Sequence, residues 1–431
     1  MMNWKEQYKD KIVSAARAVG VINDSDYIVC SHAAANPQVI MRELVAQKER
    51  FSNLHIYHML PLGYGEYLLP ENAKHFHHIT SFIGGASRES ASLGRADFIP
   101  CFFKDTPQLI GNIFPVDIAI INVSPPDSEG YCSLGLSCDY TKAAVEKAGK
   151  VIAQVNECMP YVGSTNKVHL SRFDCIVLCA DPIPEIPLPS VTEVEREIGK
   201  NCASLINDGD TLQLGIGAIP DAVLLFLKEK KDLGVHTEMF SDGAMELVKS
   251  GVINGRLKTL HPGKLVATFL MGTRALYDFV DNNPLVELMP VDYVNDPAVI
   301  GQNNNMVSIN SCIEVDLMGQ VNAESIGTKQ FSGTGGQVDY VRGASVSKGG
   351  RSIIAVPATA SKGKVSRIVP FLSPGAAVTT SRNDVDYVVT EYGVAKLKGR
   401  TLAQRAEALI AIVHPDFRDE LKEEYKKRFN K

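Results

Sequence analysis

The sequence of 431 residues lacks the motifs that mark several common classes of enzyme. It has no Gly-x-Ser-x-Gly elbow, no phosphate-binding Walker loop, no His-Glu-x-x-His pair and no calcium-binding Asp-x-Asp-x-Asp-Gly loop. These absences remove the sequence support for a serine hydrolase, a phosphoryl-transfer enzyme and a metal-dependent enzyme. No Cys-x-x-Cys pair occurs either, so we predict no metal site.

Long apolar runs and an excess of positive charge are also missing. No window is as long and uninterrupted as a signal peptide or a bilayer span requires, so we expect a cytoplasmic protein without a membrane partner. The formal net charge of -5 leaves no electrostatic footprint for nucleic acid. The nine cysteines are odd in number and lie mostly within apolar runs, which is typical of buried thiols: Cys30, Cys101, Cys132, Cys138, Cys158, Cys175, Cys179, Cys202 and Cys312.

A proline-rich segment divides the chain. Four prolines stand among residues 182–189, which excludes both a helix and a central strand there. Directly afterwards, Ser190 with Glu193, or Thr192 with Glu195, has the spacing of a helix capping box. Since single cores stop growing beyond roughly 250 to 300 residues, two domains are expected. We predict an N-terminal domain over 1–181, a linker over 182–190 and a C-terminal domain over 191–431.

Short apolar runs alternate with helical stretches in both halves. Continuous apolar strands separated by helices indicate sheets covered on both faces, and therefore an α/β fold. The halves also echo each other, since an Asp-x-x-Gly motif after a predicted strand begins at Asp127 in one and at Asp316 in the other. We expect two similar open α/β domains that arose by duplication. The predicted strands cover 27–30, 118–123, 151–155, 175–179, 211–214, 265–270, 307–309, 353–356 and 387–389, and the predicted helices include 37–46 and 220–228.

Two glycine-rich loops are candidates for binding. Gly215 and Gly217 lie between a predicted strand and a helix with Pro220 in its first turn. Free backbone amides at such a helix start can hold an anion or an oxyanion, although a tight turn without a ligand explains this loop equally well. Pro220 stands where the third glycine of Gly-x-Gly-x-x-Gly would be, which disfavours a dinucleotide fold. A second loop contains Gly335 and Gly336, and its backbone approaches a ligand or another loop, or forms a surface turn.

Glu238 is the candidate reacting group. Its neighbours Val235, Met239 and Phe240 are apolar, so Glu238 is expected to leave a strand at the edge of a sheet. That edge is where α/β sheets place reacting groups. The alternative is a solvated side chain or a helix cap.

Several motifs in a fixed order resemble the acetyl-CoA hydrolase/transferase family, most closely its 4-hydroxybutyrate and butyrate CoA-transferase members. The resemblance covers nearly the whole chain, and in the N-terminal half it includes residues 84–88, 94–97 and 117–130. In the C-terminal half it rests on Gly215-x-Gly217, Thr237-Glu238 with Ser241-Asp242-Gly243, residues 310–322, Gly335-Gly336-x-x-Asp339, residues 367–370 and residues 390–399.

The resemblance implies two domains facing each other across an active-site cleft, with Glu238 as the catalytic glutamate. It implies that CoA moves between short-chain acyl-CoA and a carboxylic acid such as 4-hydroxybutyrate, butyrate or acetate. In such a ping-pong reaction through a glutamyl-CoA thioester, coenzyme A is a substrate rather than a permanently bound cofactor. The expected assembly is a homodimer or an assembly of dimers. The remaining site residues implied by motif are Gly215, Gly217, Gly335 and Gly336 for oxyanion and CoA binding, and Glu391 and Asn310 in support.

Two other functions stay open at this point. A hydrolase can use the same glutamate and let water take the final step, and the sequence does not separate it from a transferase. A ligand-binding sensor on a related α/β fold would show no turnover, and the complete motif around Glu238 argues against it.

Overall fold

The computed structural model describes residues 4–163, 165–215 and 217–430. These residues form two compact units. The first unit runs up to Pro187 and also contains Val266–Val294, whereas the second contains Leu188–Leu265 and the residues from Asn295 onwards. The break after Pro187 falls within the segment 182–190 that the sequence predicts as a linker.

The segment Val266–Val294 differs from the sequence-based division, which places it in the C-terminal domain. Backbone hydrogen bonds tie it to residues 136–139 of the first unit. Leu270 N donates to Leu136 O at 2.8 Å, and Cys138 N donates to Thr268 O at 3.0 Å. The chain therefore returns to the first unit before it completes the second, and no composition change at residue 266 signals that return.

The first unit is built on a parallel sheet of seven strands. Its isoleucines pair across adjacent strands, with Ile28 beside Ile56 and Ile118, and Ile120 beside Ile152. All five lie in one hydrophobic core, as expected for strands that are buried on both faces. The order of strands across the sheet is Ala96–Phe98, Phe76–Thr80, Leu54–Tyr57, Tyr27–Cys30, Ile118–Val123, Lys150–Asn156 and Cys175–Cys179.

Six strands that lie wholly in the second unit belong to one sheet, and their order corresponds to that of the first sheet. The chain adds one neighbour on one side of its first strand, and it then returns to build the other side. Five strands are parallel, and the last forms an antiparallel hairpin with the strand before it. The order is Gly234–His236, Thr211–Leu214, Met306–Ser311, Arg351–Ala355, Tyr387–Thr390 and Gly393–Lys396.

Helices and short strands complete both units. Among the residues that the structure describes, no helix is long and apolar enough to span a membrane. The α-helices are Trp4–Gln7, Ala15–Val19, Gln38–Ala46, Arg88–Ser92, Thr106–Leu109, Thr141–Lys147, Glu193–Ala203, Ala218–Leu225, Asp242–Lys249, Arg274–Val280, Val291–Val294, Pro297–Ile300, Gln337–Val346, Leu402–Ala411 and Arg418–Phe429. The remaining strands are Tyr131–Ser133, Lys167–His169, Met239–Phe240, Leu265–Ala267, Phe269–Leu270, Val286–Leu288, Glu314–Asp316, Val321–Asn322, Ser325–Ile326, Lys329–Gln330, Thr359–Ala360, Val365–Ser366 and Ile368–Val369.

The α/β prediction with two parallel-sheet domains is confirmed. The strands predicted over 27–30, 118–123, 175–179 and 211–214 have the predicted bounds, whereas the run 265–270 is divided into two short strands. Of the two alternative capping boxes, the structure contains the one formed by Thr192 and Glu195. The predicted helix 220–228 lies two to three residues further towards the N-terminus, as Ala218–Leu225.

The Asp-x-x-Gly motifs of the two halves form the same kind of turn. Asp127 N donates to Tyr131 O at 2.9 Å, and Asp316 N donates to Gln320 O at 3.0 Å. In each turn the aspartate carboxylate accepts two backbone N–H bonds, and the glycine three residues later has a φ of 86° or 87°. The same turn at equivalent places in two sheets of equivalent order is what the predicted duplication requires.

Gly199 sets the contact between helices Glu193–Ala203 and Ala218–Leu225. A Cβ atom at Gly199 would lie 2.6 Å from the carbonyl carbon of Ala222 and 2.7 Å from its oxygen. Because the obstacle is backbone rather than a flexible side chain, an added methyl group would force the two helices apart.

We expect the substitution G199A to lower the free energy of unfolding by up to about 2 kcal/mol, because overpacking costs about 1 to 3 kcal/mol and better helix propensity offsets about 1 kcal/mol of it. Thermal and denaturant unfolding would measure this change. G85A is the matched control, since no atom lies within 4 Å of a Cβ at Gly85. An unfolding midpoint for G199A equal to or above that of the wild type would contradict the packing argument.

Candidate functional site

The candidate site of the second unit lies where parallel strands end. Strands Thr211–Leu214 and Met306–Ser311 are adjacent, and the chain reverses its direction of sheet building between them. In open α/β sheets this switch point is where ligands bind. Gln213 and Asn310 face each other there, and their side-chain amides exchange hydrogen bonds of 3.3 and 3.0 Å.

Thr237 fixes the segment that follows strand Gly234–His236. Its buried hydroxyl lies 3.2 Å from Leu214 O and 3.0 Å from Met239 O, and it accepts a bond from Leu214 N at 3.4 Å. The end of one strand is thereby tied to the loop after its neighbour. Glu238 is the next residue, so its backbone has a fixed position at the edge of the sheet.

The Glu238 carboxylate is held between a side-chain amide and a glycine. Asn295, which is fully buried, donates from Nδ2 to Glu238 Oε2 at 2.7 Å. A Cβ atom at Gly336 would overlap Glu238 Oε2 and would lie 2.5 Å from Asn295 Nδ2. Only glycine leaves the carboxylate room at this position.

Gly336 is also the N-cap of helix Gln337–Val346. The N-terminal end of a helix carries partial positive charge, which favours a carboxylate nearby. Tyr340, one turn into this helix, is buried; burial and then the negative charge of Glu238 raise the pKa of its phenol well above the ordinary value. The side chain of Tyr340 near Glu238 is therefore a neutral phenol at physiological pH.

The glycine loops adopt conformations that favour glycine. Gly335 has a φ of 54° and Gly217 a φ of 112°, both in the region that other residues rarely adopt. Gly217 is the N-cap of helix Ala218–Leu225, and among the described residues, its chain neighbours aside, no atom lies within 4 Å of a Cβ at this position. A Cβ at Gly215 would meet Ile309 O at 3.9 Å, which places Gly215 against the end of the adjacent strand.

Glu391 has a different role in the structure from that of Glu238. Its Oε2 accepts a hydrogen bond from Ala358 N at 2.8 Å, so it ties the end of strand Tyr387–Thr390 to the loop after strand Arg351–Ala355. The structure thus brings Gly336 to Glu238, sets Gly215 and Asn310 at the ends of two adjacent strands, and joins Glu391 to the loop at Ala358.

Both halves of the chain match profiles of one protein family. The profile of the acetyl-CoA hydrolase/transferase N-terminal domain matches residues 1–187, and that of the C-terminal domain matches residues 272–425. The chain is 59% identical over 429 residues to the 4-hydroxybutyrate coenzyme A transferase of Clostridium kluyveri, a match that covers 99% of this chain and 100% of that protein. The chain belongs to the acetyl-CoA hydrolase/transferase family. The predicted resemblance is therefore confirmed.

Other proteins resemble this chain over nearly its whole length. The butyryl-CoA:acetate CoA-transferase of Anaerostipes caccae is 38% identical, with 97% of each chain covered. The crystal structure of 4-hydroxybutyrate CoA-transferase from Porphyromonas gingivalis aligns with a TM-score of 0.87 at 49% identity, covering 99% of this chain and 100% of that one. RipA from Yersinia pestis aligns with a TM-score of 0.94 at 37% identity, covering 99% of each chain.

Sequence reasoning did not identify Asn295 and Thr237 as site residues by their chemistry. Asn295 stands 57 residues after its partner Glu238. It precedes Asp296-Pro297, where an asparagine is expected to form a turn or cap a helix. Only the path of the chain reveals that its amide faces the glutamate. The sequence places Thr237 in a motif. Its contacts with the end of a neighbouring strand become apparent only from the order of the strands in the sheet.

Lys258 supports the strand that leads to Glu238. Its Nζ donates to Val235 O and to Lys264 O, each at 2.8 Å, and the side chain is 5% exposed. Its stem packs where Gly234 has no side chain, with Cδ 2.9 Å from a Cβ built on that glycine. Burial lowers the pKa of Lys258 to about 7.

This depressed pKa makes stability depend on pH. The unfolded chain holds the ammonium up to a pKa of about 10.4, so unfolding takes up a proton between pH 7 and that value, and stability rises with pH across this window. We expect K258M, which has no titrating group, to gain stability relative to the wild type as the pH falls from 10 to 7. Thermal melting across this range would measure the difference, with exposed Lys422 replaced in the control K422M. A difference between K258M and the wild type that does not change with pH would contradict the assignment.

Proposed function

We propose that this protein is a CoA-transferase that moves coenzyme A between a short-chain acyl-CoA and a carboxylate, with Glu238 as the covalent carrier. The observation that carries this proposal is the position of the Glu238 carboxylate, 2.7 Å from Asn295 Nδ2 and against the backbone of Gly336. Relatives named for 4-hydroxybutyrate and for butyryl-CoA with acetate support this class of substrates.

The first half of the proposed reaction loads CoA onto the enzyme. The Glu238 carboxylate attacks the thioester carbonyl, the C–S bond breaks, and an acyl-glutamyl anhydride and the CoA thiolate result. The thiolate then attacks the glutamyl carbonyl of the anhydride. The first acid leaves as its carboxylate, and Glu238 carries CoA as a thioester.

The second half runs the same steps in reverse with another acid. Its carboxylate attacks the glutamyl thioester and releases the CoA thiolate, which then attacks the new acyl carbonyl and frees Glu238. No proton or electron is consumed, and the energy of the thioester is conserved. Ping-pong kinetics are the expected signature.

Each tetrahedral intermediate places negative charge on an oxygen. We propose that backbone amides of the loops at Gly215, Gly217, Gly335 and Gly336 donate to that oxygen and to the acyl-CoA. A donor of this kind contributes about 3 to 4 kcal/mol in comparable sites. Asn295 would keep the carboxylate oriented, since a buried amide bonded to one oxygen restricts its rotation. Asn310 and Glu391 would support the site indirectly, by joining adjacent strands and loops.

Transfer and hydrolysis are separated by the acceptor. We expect butyryl-CoA to be consumed rapidly with acetate present and at a small fraction of that rate without it, because water must be kept from the anhydride and the glutamyl thioester. Formation of acetyl-CoA, followed by chromatography, is the measurement. Free CoA released equally fast without any acid would show a hydrolase, and no turnover with any acid would favour a binding protein.

Removal of the nucleophile is the second test. We expect E238Q to lose transfer by roughly 10³-fold or more, as happens when a covalent nucleophile is removed. Its amide still accepts a hydrogen bond from Asn295, so the unfolding midpoint should stay near that of the wild type. Treatment with hydroxylamine or borohydride after acyl-CoA addition should modify the peptide with Glu238 in the wild type and leave E238Q unmodified. Modification at another carboxylate would refute the assignment.

The identity of the acids and the assembly belong to this proposal as well. Butyrate, 4-hydroxybutyrate and acetate differ by methylene or hydroxyl groups, each worth only about 1 to 3 kcal/mol in a pocket. A panel of acceptors against one acyl-CoA would rank them. A homodimer or an assembly of dimers, a cytoplasmic location and domain limits at the segment 182–190 stay predictions.

A further inference from the structure

The loop that brings Gly336 to Glu238 has almost no regular structure of its own. It lies between the short hairpin formed by strands Ser325–Ile326 and Lys329–Gln330 and the start of helix Gln337–Val346. A loop rich in glycine has high conformational freedom, so its position must be imposed by contacts outside itself. Several of those contacts are made by one residue, Glu324.

Glu324 binds the loop through its backbone and its side chain. Its carbonyl oxygen accepts from Phe331 N at 2.8 Å and from Ser332 N at 3.0 Å. Its carboxylate Oε2 accepts from Gln330 Nε2 at 3.2 Å and from Thr334 Oγ1 at 3.5 Å. The loop is therefore held at its beginning and at the residue before Gly335.

The far side of the same carboxylate is anchored in the body of the unit. Glu324 Oε1 accepts from Thr379 Oγ1 at 2.9 Å, and the residue is only 7% exposed. All three side-chain donors are neutral. Burying a carboxylate is costly, and neutral donors offset that cost less than a cation would. A charged acceptor forms stronger hydrogen bonds than an amide or a hydroxyl, which suits such a residue to fixing a loop that has little regular structure.

The path from Glu324 to the reacting group is short. Thr334, which bonds to the Glu324 carboxylate, offers its carbonyl oxygen to Gln337 N at 3.4 Å at the start of the helix. Gly336, the N-cap of that helix, is the residue against which the Glu238 carboxylate lies. Each step is a direct contact within the second unit.

We propose that Glu324 is a positioning residue, which holds the loop of residues 331–336 so that Gly336 stays against Glu238 during transfer. This role rests on the proposed function. Loss of the Glu324 carboxylate would leave the fold in place and let the loop move relative to the reacting carboxylate. A displacement of about 1 Å at a reacting centre can cost on the order of 100-fold in rate.

A second buried carboxylate in the same unit provides a matched control. Glu314 is 8% exposed and also has three donors, which are Asn322 Nδ2 at 3.1 Å, Ser373 N at 3.0 Å and Ser373 Oγ at 2.8 Å. These bonds lead to residues outside the loop 331–336. A role of Glu324 that is only structural predicts that neutralising Glu314 has the same consequences.

The experiment compares E324Q with E314Q in the full chain. Enzyme is mixed with butyryl-CoA in a single turnover, the reaction is trapped with hydroxylamine, and the modified Glu238 peptide is followed by mass spectrometry against time. We expect the rate of labelling to fall by about 10-fold to 100-fold in E324Q. In E314Q it should stay within about 3-fold of the wild type at a comparable loss of thermal stability.

The isosteric variant T334V removes only the hydroxyl that joins the loop to Glu324. It should slow labelling in the same direction, and it decides the question by the same criterion if E324Q does not fold. Labelling of E324Q at the wild-type rate, or an equal decrease in E314Q, would overturn the positioning role. Absence of Glu238 labelling in the wild type would instead overturn the proposed function, and this role with it.

Discussion

The Glu238 carboxylate and the backbone of Gly336 share a space that has no room for one additional carbon atom. This constraint explains why a glycine stands at the start of helix Gln337–Val346, where serine, threonine or aspartate would cap the helix better. It also explains why Asn295 is buried, because its amide completes the remaining side of the carboxylate. The glutamate is thereby restrained from two directions, and it is half-buried rather than fully buried.

The sheet of the second unit supplies the positions for these groups. Parallel strands that end at one edge bring residues from distant parts of the chain to the same place. Thr237 couples two of those strand ends, and Gln213 with Asn310 couples one of these two strands to the next strand of the sheet. In the first unit the strands follow a corresponding order.

Local patterns were sufficient to predict most of the framework. Strands such as Ile118–Val123 and Thr211–Leu214 are buried at every residue, and the apolar runs that this burial requires are recognisable in the sequence. Strands Leu54–Tyr57 and Phe76–Thr80 escaped prediction because histidines interrupt their apolar character. Glu238 is proposed from the sequence because its motif is contiguous. Asn295 and Glu324 are not, since the contacts that define them depend on how loops far apart in sequence meet.

Because Val266–Val294 belongs to the first unit, that unit is complete only after part of the second unit has been synthesised. A ribosome synthesises the chain from its N-terminus, and domains generally fold as units as they emerge. The first unit cannot complete its packing at the proline-rich segment, where its first long stretch ends. It must wait until residue 294 has been added, when strands Thr211–Leu214 and Gly234–His236 of the second unit have already been synthesised. Asn295 is the very next residue, so the partner of the glutamate is delivered as the chain re-enters the second unit. Dividing the chain at residue 187 would therefore not give a first segment that contains the whole first unit.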